Sequence, residues 1–339
     1  MKKLFIISNE SVFEKEKKFY CDNIDLKSSP EGLNKKFEVN LLARKSSKRR
    51  SHEIKIENIK IFNSIFTFLS AIIKSARKKD SKYLLISISP YTFLASIIIK
   101  LLGKSPIVYL RSDGYAEYKI ILGFIGSFIY HLMFSITSLI SNFISCHEYI
   151  LRGKKGKIVF PSQIDSEWLK ETKEIGVKNF ELLYIGRLRR EKGIFSFLNL
   201  IRNKNNISLT IVGAERDTSY SINQSNVNLY ENENNKNKLI KFYDNHNIFV
   251  LPSFTEGYPM VLLEALARKR PVVVFEEIKH VVGNNKGIFV SKRNYTHFLE
   301  TINYIKDNYQ KIQAEMKQNQ IPTNKNFIKE MGSLISNLN

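Results

Sequence analysis

Val250-Leu251-Pro252-Ser253-Phe254-Thr255-Glu256-Gly257-Tyr258-Pro259 is the stretch on which the reading of this sequence turns. It opens with the end of a short apolar run, 248–251, which reads as a strand buried on both faces. The run stops at Pro252 and gives way to small and polar residues. Gly257 lets the backbone approach a ligand closely, and Pro259 suits the first turn of a helix. A helix start presents unpaired N–H groups and the positive end of the helix dipole, so this turn is a candidate anion site. Glu264 follows Glu256 in what would be the same helix. A Glu pair at that spacing alone fits a solvated helix face. Inside the pattern Pro-Ser-x-x-Glu-Gly-x-Pro-x-x-x-x-Glu-Ala it becomes specific.

The same strand-to-turn-to-helix shape occurs upstream in Tyr184-Ile185-Gly186-Arg187-Leu188-Arg189-Arg190-Glu191-Lys192-Gly193. A strand over 182–185 ends at Gly186 and a helix begins near Gly193. Arg187 and Lys192 therefore sit on a turn at a strand's carboxyl end, where open α/β sheets take their ligands. Arg187 offers a planar fork to phosphate oxygens and Lys192 a compact charge; by themselves the two also fit a solvated basic turn. Apolar strands at 208–212 and 272–275 complete the second half. The first half repeats the alternation. Strands are expected at 4–7, 37–42, 83–88, 107–110 and 158–161, with helices at 61–73 and 91–102, Pro90 stopping one strand and Gly103 closing one helix. Continuous apolar strands alternating with helices predict an α/β fold of two doubly wound, Rossmann-like domains facing each other across a cleft. The charged stretch 165–178, which carries Trp168, is the expected approach to the joint, and the Asn-rich 226–238 reads as a polar loop and helix start.

Composition excludes several classes. The 339 residues suit about two domains, and 43% hydrophobic with 25% charged residues is ordinary globular usage, not that of a disordered or collagen-like chain. Cys21 and Cys146 are too few for a disulfide framework or a tetrahedral zinc site, which points to a reducing compartment. The N-terminal apolar run to Ile7 is too short for a signal-peptide core. The first strand leads into Ser8-Asn9-Glu10-Ser11, with no glycine, so the dinucleotide fingerprint is missing where it belongs, and no P-loop occurs elsewhere. Charge is uneven: residues 1–160 carry 28 Lys and Arg against 13 Asp and Glu, the remainder 25 against 19. A basic half calls for an anionic partner. Its clusters (Arg44, Lys45, Lys48, Arg49, Arg50; Lys74, Arg77, Lys78, Lys79; Arg152, Lys154, Lys155, Lys157) are scattered among amphipathic helices. They are not interleaved with aromatics in one module, which argues against nucleic acid.

With these residues in place, 180–290 resembles the nucleotide-sugar half of a GT-B glycosyltransferase of the large retaining class called family 4. The matching pieces are Gly186-Arg187…Lys192-Gly193, Thr210-Ile211-Val212-Gly213, and Pro252-Ser253…Glu256-Gly257-Tyr258-Pro259…Leu263-Glu264-Ala265, in the family's order and spacing. Weaker matches are Lys157-Ile158-Val159-Phe160-Pro161 with Ile164-Asp165. The resemblance implies an acceptor domain over 1–165, a donor domain over 166–314, and a final helix in 315–339 packing back on the first domain. It implies that Arg187 and Lys192, beside Gly186, hold the donor diphosphate. Glu264 would bond the ribose hydroxyls and Glu256 would lie against the donor sugar. Gly257, Tyr258, Pro259, Met260 and Val261 would contact sugar or phosphate through the backbone. Glu256, Arg187 and Lys192 would be the catalytic groups. The substrate would be a nucleoside-diphosphate sugar, with no cofactor and no metal; no Asp-x-Asp pair occurs in the chain.

The chain departs from the family at the absent glycine-rich first loop and at the slot after the 107–110 strand. Many relatives carry a His there; this sequence has Arg111-Ser112-Asp113-Gly114. Arg111 and Asp113 are candidates for lining the acceptor cleft, and Asp113 equally fits a cap on the next helix. From Ile120 through His147 there is no Lys, Arg, Asp or Glu, and three states are open for this stretch: buried, interfacial or membrane-inserted. An apolar and basic acceptor half fits a lipid-linked or oligosaccharide acceptor of surface-polysaccharide synthesis. It also fits an enzyme docked peripherally on the anionic cytoplasmic leaflet. The alternatives are another GT-B enzyme, such as a nucleotide-sugar epimerase, or a non-catalytic nucleotide-binding protein.

Overall fold

The structure is a computed structural model and describes residues 1–77, 80–171, 181–204, 206–214, 222 and 224–338. Lys78 and Lys79 of the second basic cluster, and 172–178 of the expected domain approach, lie outside the described residues. The chain forms two compact units, one of Met1–Gln163 with Asn324–Asn339 and one of Ile164–Thr323.

The first unit is built on a nine-stranded sheet. Its parallel part contains β1 (Lys3–Lys15), β3 (Glu38–Lys45), β5 (Asn58–Phe62), β6 (Ser81–Ile86), β7 (Pro106–Leu110), β8 (Asn142–Ser145) and β9 (Gly156–Ile158). β3 and β6 flank β1, so the chain winds outward in both directions from its first strand. Leu4, Ile6, Tyr83, Leu85, Ile107 and Val108 are buried, as expected for strands covered on both faces. β1 is longer than its apolar start. Beyond Ile7 its register with β3 shifts, and it continues through 8–11 into an antiparallel hairpin with β2 (Lys18–Cys21), against which β4 (His52–Ile54) adds the ninth strand, also antiparallel. Glu16 and Lys17 turn that hairpin, both at positive φ (52° and 61°), the conformation that matches strand twist in a two-residue turn.

Local signals set the helices. Ser89 and Thr92 form a reciprocal capping box and Pro90 starts the helix Pro90–Leu101, so this proline begins a helix as well as ending the approach from β6. Ser64 caps Ile65–Ala76, which starts later than the expected 61; residues 58–62 form β5 instead. The last helix, Asn324–Asn337, buries Phe327, Met331 and Ile335 in the first unit, with Lys36 Nζ donating to the Gly332 carbonyl at 3.1 Å. It begins later than the expected 315. Residues Tyr309–Met316 form a separate helix whose Tyr309, Ile312 and Met316 are buried in the core of the second unit, which is why the second unit extends to Thr323.

The second unit is a six-stranded parallel sheet in the order β12-β11-β10-β13-β14-β15. These are Glu181–Ile185 (β10), Ser208–Ala214 (β11), Val227–Glu231 (β12), Ile248–Leu251 (β13), Val272–Phe275 (β14) and Ile288–Ser291 (β15). β12 occupies part of 226–238, where only a loop and a helix start were expected. The helix does start there, at Lys236, with Asn235 as its cap.

Candidate functional site

Strand order decides where a site forms in the second unit. β10 has β11 on one side and β13 on the other. Chain connections depart in opposite directions at this pair, which opens a crevice at the carboxyl ends of the two strands. Both sequence motifs leave the sheet there. After β10 come Gly186 and Arg187, a single helical turn Arg190–Lys192, and the helix Ile194–Leu200. After β13 come 252–259 and the helix Met260–Ala267. The two loops are tied together. Phe254 N–H donates to the Glu191 carbonyl at 3.0 Å. Gly193 is at φ +63°, and a Cβ there would collide with the Pro252 carbonyl oxygen. Arg293 braces the pair: it donates to the Pro252 carbonyl at 3.0 Å, bonds Glu277 at 2.7 Å, and stacks its guanidinium 4.3 Å from the Phe254 ring centre.

The fold brings Lys192 and Glu256 into contact. Lys192 Nζ donates to Glu256 Oε1 at 2.7 Å, and the Ser253 hydroxyl donates to the same oxygen at 2.7 Å. The His280 ring Nε2 donates to the Glu256 backbone carbonyl at 2.8 Å. The carboxylate is thus held in one orientation, with its side chain only 10% exposed. Arg187 is exposed on the turn above β10, and its carbonyl accepts the Tyr184 hydroxyl at 2.9 Å. Pro259 stands at the N-cap, one place before the expected first turn, and no side chain caps the helix. Met260 and Val261 therefore form the open first turn, reached through Gly257 and Tyr258.

Glu264 lies one turn into that helix, where its carboxylate accepts the Tyr243 hydroxyl at 2.9 Å. Burial pushes the Glu264 carboxyl up to about 7. Burial and that neighbouring carboxylate raise the Tyr243 phenol well above its ordinary value. Sequence reasoning did not assign roles to Ser253, Tyr243, His280 or Arg293. Ser253 stood within the quoted motif, three places before Glu256. The other three are brought in by tertiary packing from distant elements and carry no local signal.

In the first unit Arg111 and Asp113 follow β7. Arg111 pairs with buried Asp25, whose other oxygen accepts Gln163 Nε2 at 2.6 Å. Asp113 caps the helix that begins at Gly114, accepting from Tyr115 N–H at 3.1 Å and Ala116 N–H at 3.4 Å. Its second oxygen accepts the Tyr149 hydroxyl and Arg152 Nη2. Of the two sequence readings of Asp113, capping is the one the structure displays. Arg111 is likewise held in an ion pair of its own unit.

Residues 165–323 match the family described as glycosyl transferases group 1. The second unit is a glycosyl transferases group 1 domain. Over 155 aligned residues the chain is 32% identical to the capsular polysaccharide biosynthesis glycosyltransferase CapM of Staphylococcus aureus, covering 41% of this chain and 40% of that protein. The chain spans well under half the length of the curated relatives it matches. Solved structures match over the full length. Sucrose-phosphate synthase from Thermosynechococcus elongatus superposes with a TM-score of 0.70 at 14% identity, covering 100% of this chain and 99% of that one. HepE from Anabaena, solved with UDP and glucose, gives 0.70 at 13% identity and 100% of both chains. The fold, with the glycosyl transferases group 1 domain as its second unit, is GT-B.

Proposed function

We propose that this chain is a retaining glycosyltransferase of the family 4 type, moving a sugar from a nucleoside-diphosphate sugar to a glycan acceptor. The observation that carries this reading is the Lys192–Glu256 pair, 2.7 Å apart at the switch point between β10 and β13. Beside it are an uncapped helix start and the exposed Arg187. Breaking a glycosyl–phosphate bond leaves negative charge on the departing diphosphate. Arg187, Lys192 and the N–H groups of Met260 and Val261 would take up that charge in a fixed, partly dry site. The carbon–oxygen bond to phosphate breaks with its electron pair going to the diphosphate. The acceptor hydroxyl bonds the same carbon from the same face, and its proton passes to the departing phosphate oxygen, the nearest base on that face. Glu256, held by Ser253 and Lys192, would position the sugar, and Glu264 would accept from the ribose hydroxyls. This design calls for no metal and no cofactor.

HepE, also solved with UDP-glucose, makes a UDP-sugar the first donor to try, and the name of CapM makes an intermediate of capsular polysaccharide, which we take as lipid-linked, the first acceptor. A basic first unit suits a peripheral position on an anionic cytoplasmic leaflet. The test is a thermal-shift screen against nucleotide sugars, followed by variants. A donor at 100 times its Kd raises stability by ~2.7 kcal/mol. Glu264→Ala should weaken that binding, and Arg187→Ala should lower turnover by roughly 10²–10³-fold. Unchanged binding and turnover in both variants would remove the site.

A further inference from the structure

The apolar stretch after β7 is not one straight helix. Helical geometry spans Gly114–Ile140 except at Gly123, at φ 66° and ψ −148°. The Tyr115 hydroxyl lies 2.9 Å from His131 Nδ1, and the Tyr115 and Tyr118 rings sit 4.9 and 5.2 Å from that of Tyr130. In a continuous helix positions 115 and 131 would be ~24 Å apart. The chain therefore reverses at Gly123 into a helical hairpin with arms 114–122 and 124–140.

The hairpin stands on the sheet's carboxyl edge. Its first arm leaves from the end of β7, and its second arm returns past that root to begin β8. Tyr130, Met133, Phe134 and Thr137 anchor the returning arm as buried residues. The tip is 120–129, the end of the hairpin beyond Lys119 and the Tyr115, Tyr118 and Tyr130 packing, and it carries no charged residue. Its exposed side chains are apolar: Ile121 is 73% exposed, Phe124 85% and Ile125 67%, with Ile120, Leu122, Phe128 and Ile129 also exposed.

We infer that this tip is a wedge that inserts into the headgroup and upper acyl layer of an anionic lipid bilayer. Three observations select a bilayer over a folded partner. Exposed apolar side chains on both arms of the tip, from Ile120 to Ile129, suit a fluid that surrounds them, whereas a protein groove needs only one stripe. Each arm is shorter than the ~20 residues needed to cross a hydrocarbon core, so the hairpin enters and returns on one side. Exposed cations stand at the same sheet edge: Lys45 ends β3, three strands from β7, with Lys48 and Arg49 following it, and Lys119, near exposed Glu117, sits where the apolar tip begins. An apolar tip on an edge that also carries exposed cations is complementary to anionic headgroups over acyl chains. The inference rests on the proposed function only for which membrane is used, and it supplies the docking device that reading lacks.

The experiment compares the full chain with Phe124→Ser/Ile125→Ser by sedimentation with vesicles of phosphatidylcholine and phosphatidylglycerol, at low and high ionic strength. The wild type should stay bound at high salt, where electrostatic attraction is screened. The double variant should bind about tenfold or more weakly, and only at low salt, because binding scales with buried apolar area. Phe124→Cys, labelled with bimane, should shift to the blue and be quenched by brominated acyl chains. Cys21 and Cys146 are buried, so the label goes to position 124. Equal vesicle binding by both proteins, or a label that ignores the acyl chains, overturns the inference. So does lipid-free self-association of the wild type that the double variant abolishes, since the tip is then an interface between copies. Donor binding without lipid separates the two proposals. It should be unchanged in the double variant, and its failure in the wild type would overturn the proposed function while leaving the wedge standing.

Discussion

The carboxyl of Glu264, held under the Tyr243 hydroxyl, is lifted by burial to about 7 from an ordinary 4.5. The sign of the consequence is fixed by linkage. Between those two values the folded chain keeps a proton that the unfolded chain has released, so stability falls as pH rises through this window and levels off above it. Glu264→Gln has no such proton to lose. Thermal unfolding at pH 5 and pH 8 should show the wild type losing about 1–3 kcal/mol more than the variant over that interval; parallel losses would mean the carboxyl is not held as described. Donor binding should carry the opposite sign. Ribose hydroxyls donate to the ionised carboxylate, so affinity for a nucleoside diphosphate should rise between pH 6 and pH 8, with proton release detectable by calorimetry in two buffers. The Gln variant should show neither. Glu264 was legible as a candidate because a patterned motif placed it. Its partner Tyr243 was not, since a tyrosine on another helix becomes a neighbour only through the fold.

At the scale of elements, turns hold the site and edges hid part of the fold. The loop after β10 fits under the loop after β13 because residue 193 has no side chain. Gly193→Ala imposes an unfavourable φ of +63° and drives a Cβ into the Pro252 carbonyl. We expect a loss of roughly 2–4 kcal/mol and weakened donor binding through displaced Lys192. Gly103→Ala is the control: its φ of +72° is similar, but a Cβ there meets nothing within 4 Å, so a loss of about 1 kcal/mol with normal donor binding is expected. Similar behaviour of the two variants in chemical denaturation would refute the crowding argument. The strands that sequence revealed are those buried on both faces: 248–251 and 272–275 were bounded as the structure bounds them. β5, β12 and β15 escaped because they are partly exposed and carry polar residues, as Asn228 and Glu231 show in β12. The reversal at Gly123 escaped for another reason. One glycine in an apolar run looks the same in a straight helix and in a hairpin, and only the packing of Tyr115 against Tyr130 and His131 distinguishes them.

For the molecule as a whole, each unit has its own sheet and core, and the chain returns to the first unit after completing the second. The alternation of strands and helices made two Rossmann-like units legible. The point of return was not, because the apolar spacing of 309–316 and of 324–337 is alike and either could be the returning helix. Phe327, Met331 and Ile335 supply first-unit core, and Asn324 Nδ2 donates to the Ser162 carbonyl at 3.0 Å. Burying three such side chains contributes ~1.5–3 kcal/mol each, which together is comparable with the ~5–15 kcal/mol net stability of a domain. Deleting 324–339 should therefore unfold the first unit at or near ambient temperature and leave the second folded. One probe separates the two: Trp168 is the sole tryptophan, buried in the second unit against the Tyr243 ring. In the truncated chain, tryptophan emission should melt as in the full chain while far-ultraviolet circular dichroism loses a large part of its signal beforehand. Coincident transitions at the wild-type temperature would show that the returning helix contributes little. Coincident transitions at a much lower temperature would show that the two cores do not melt independently.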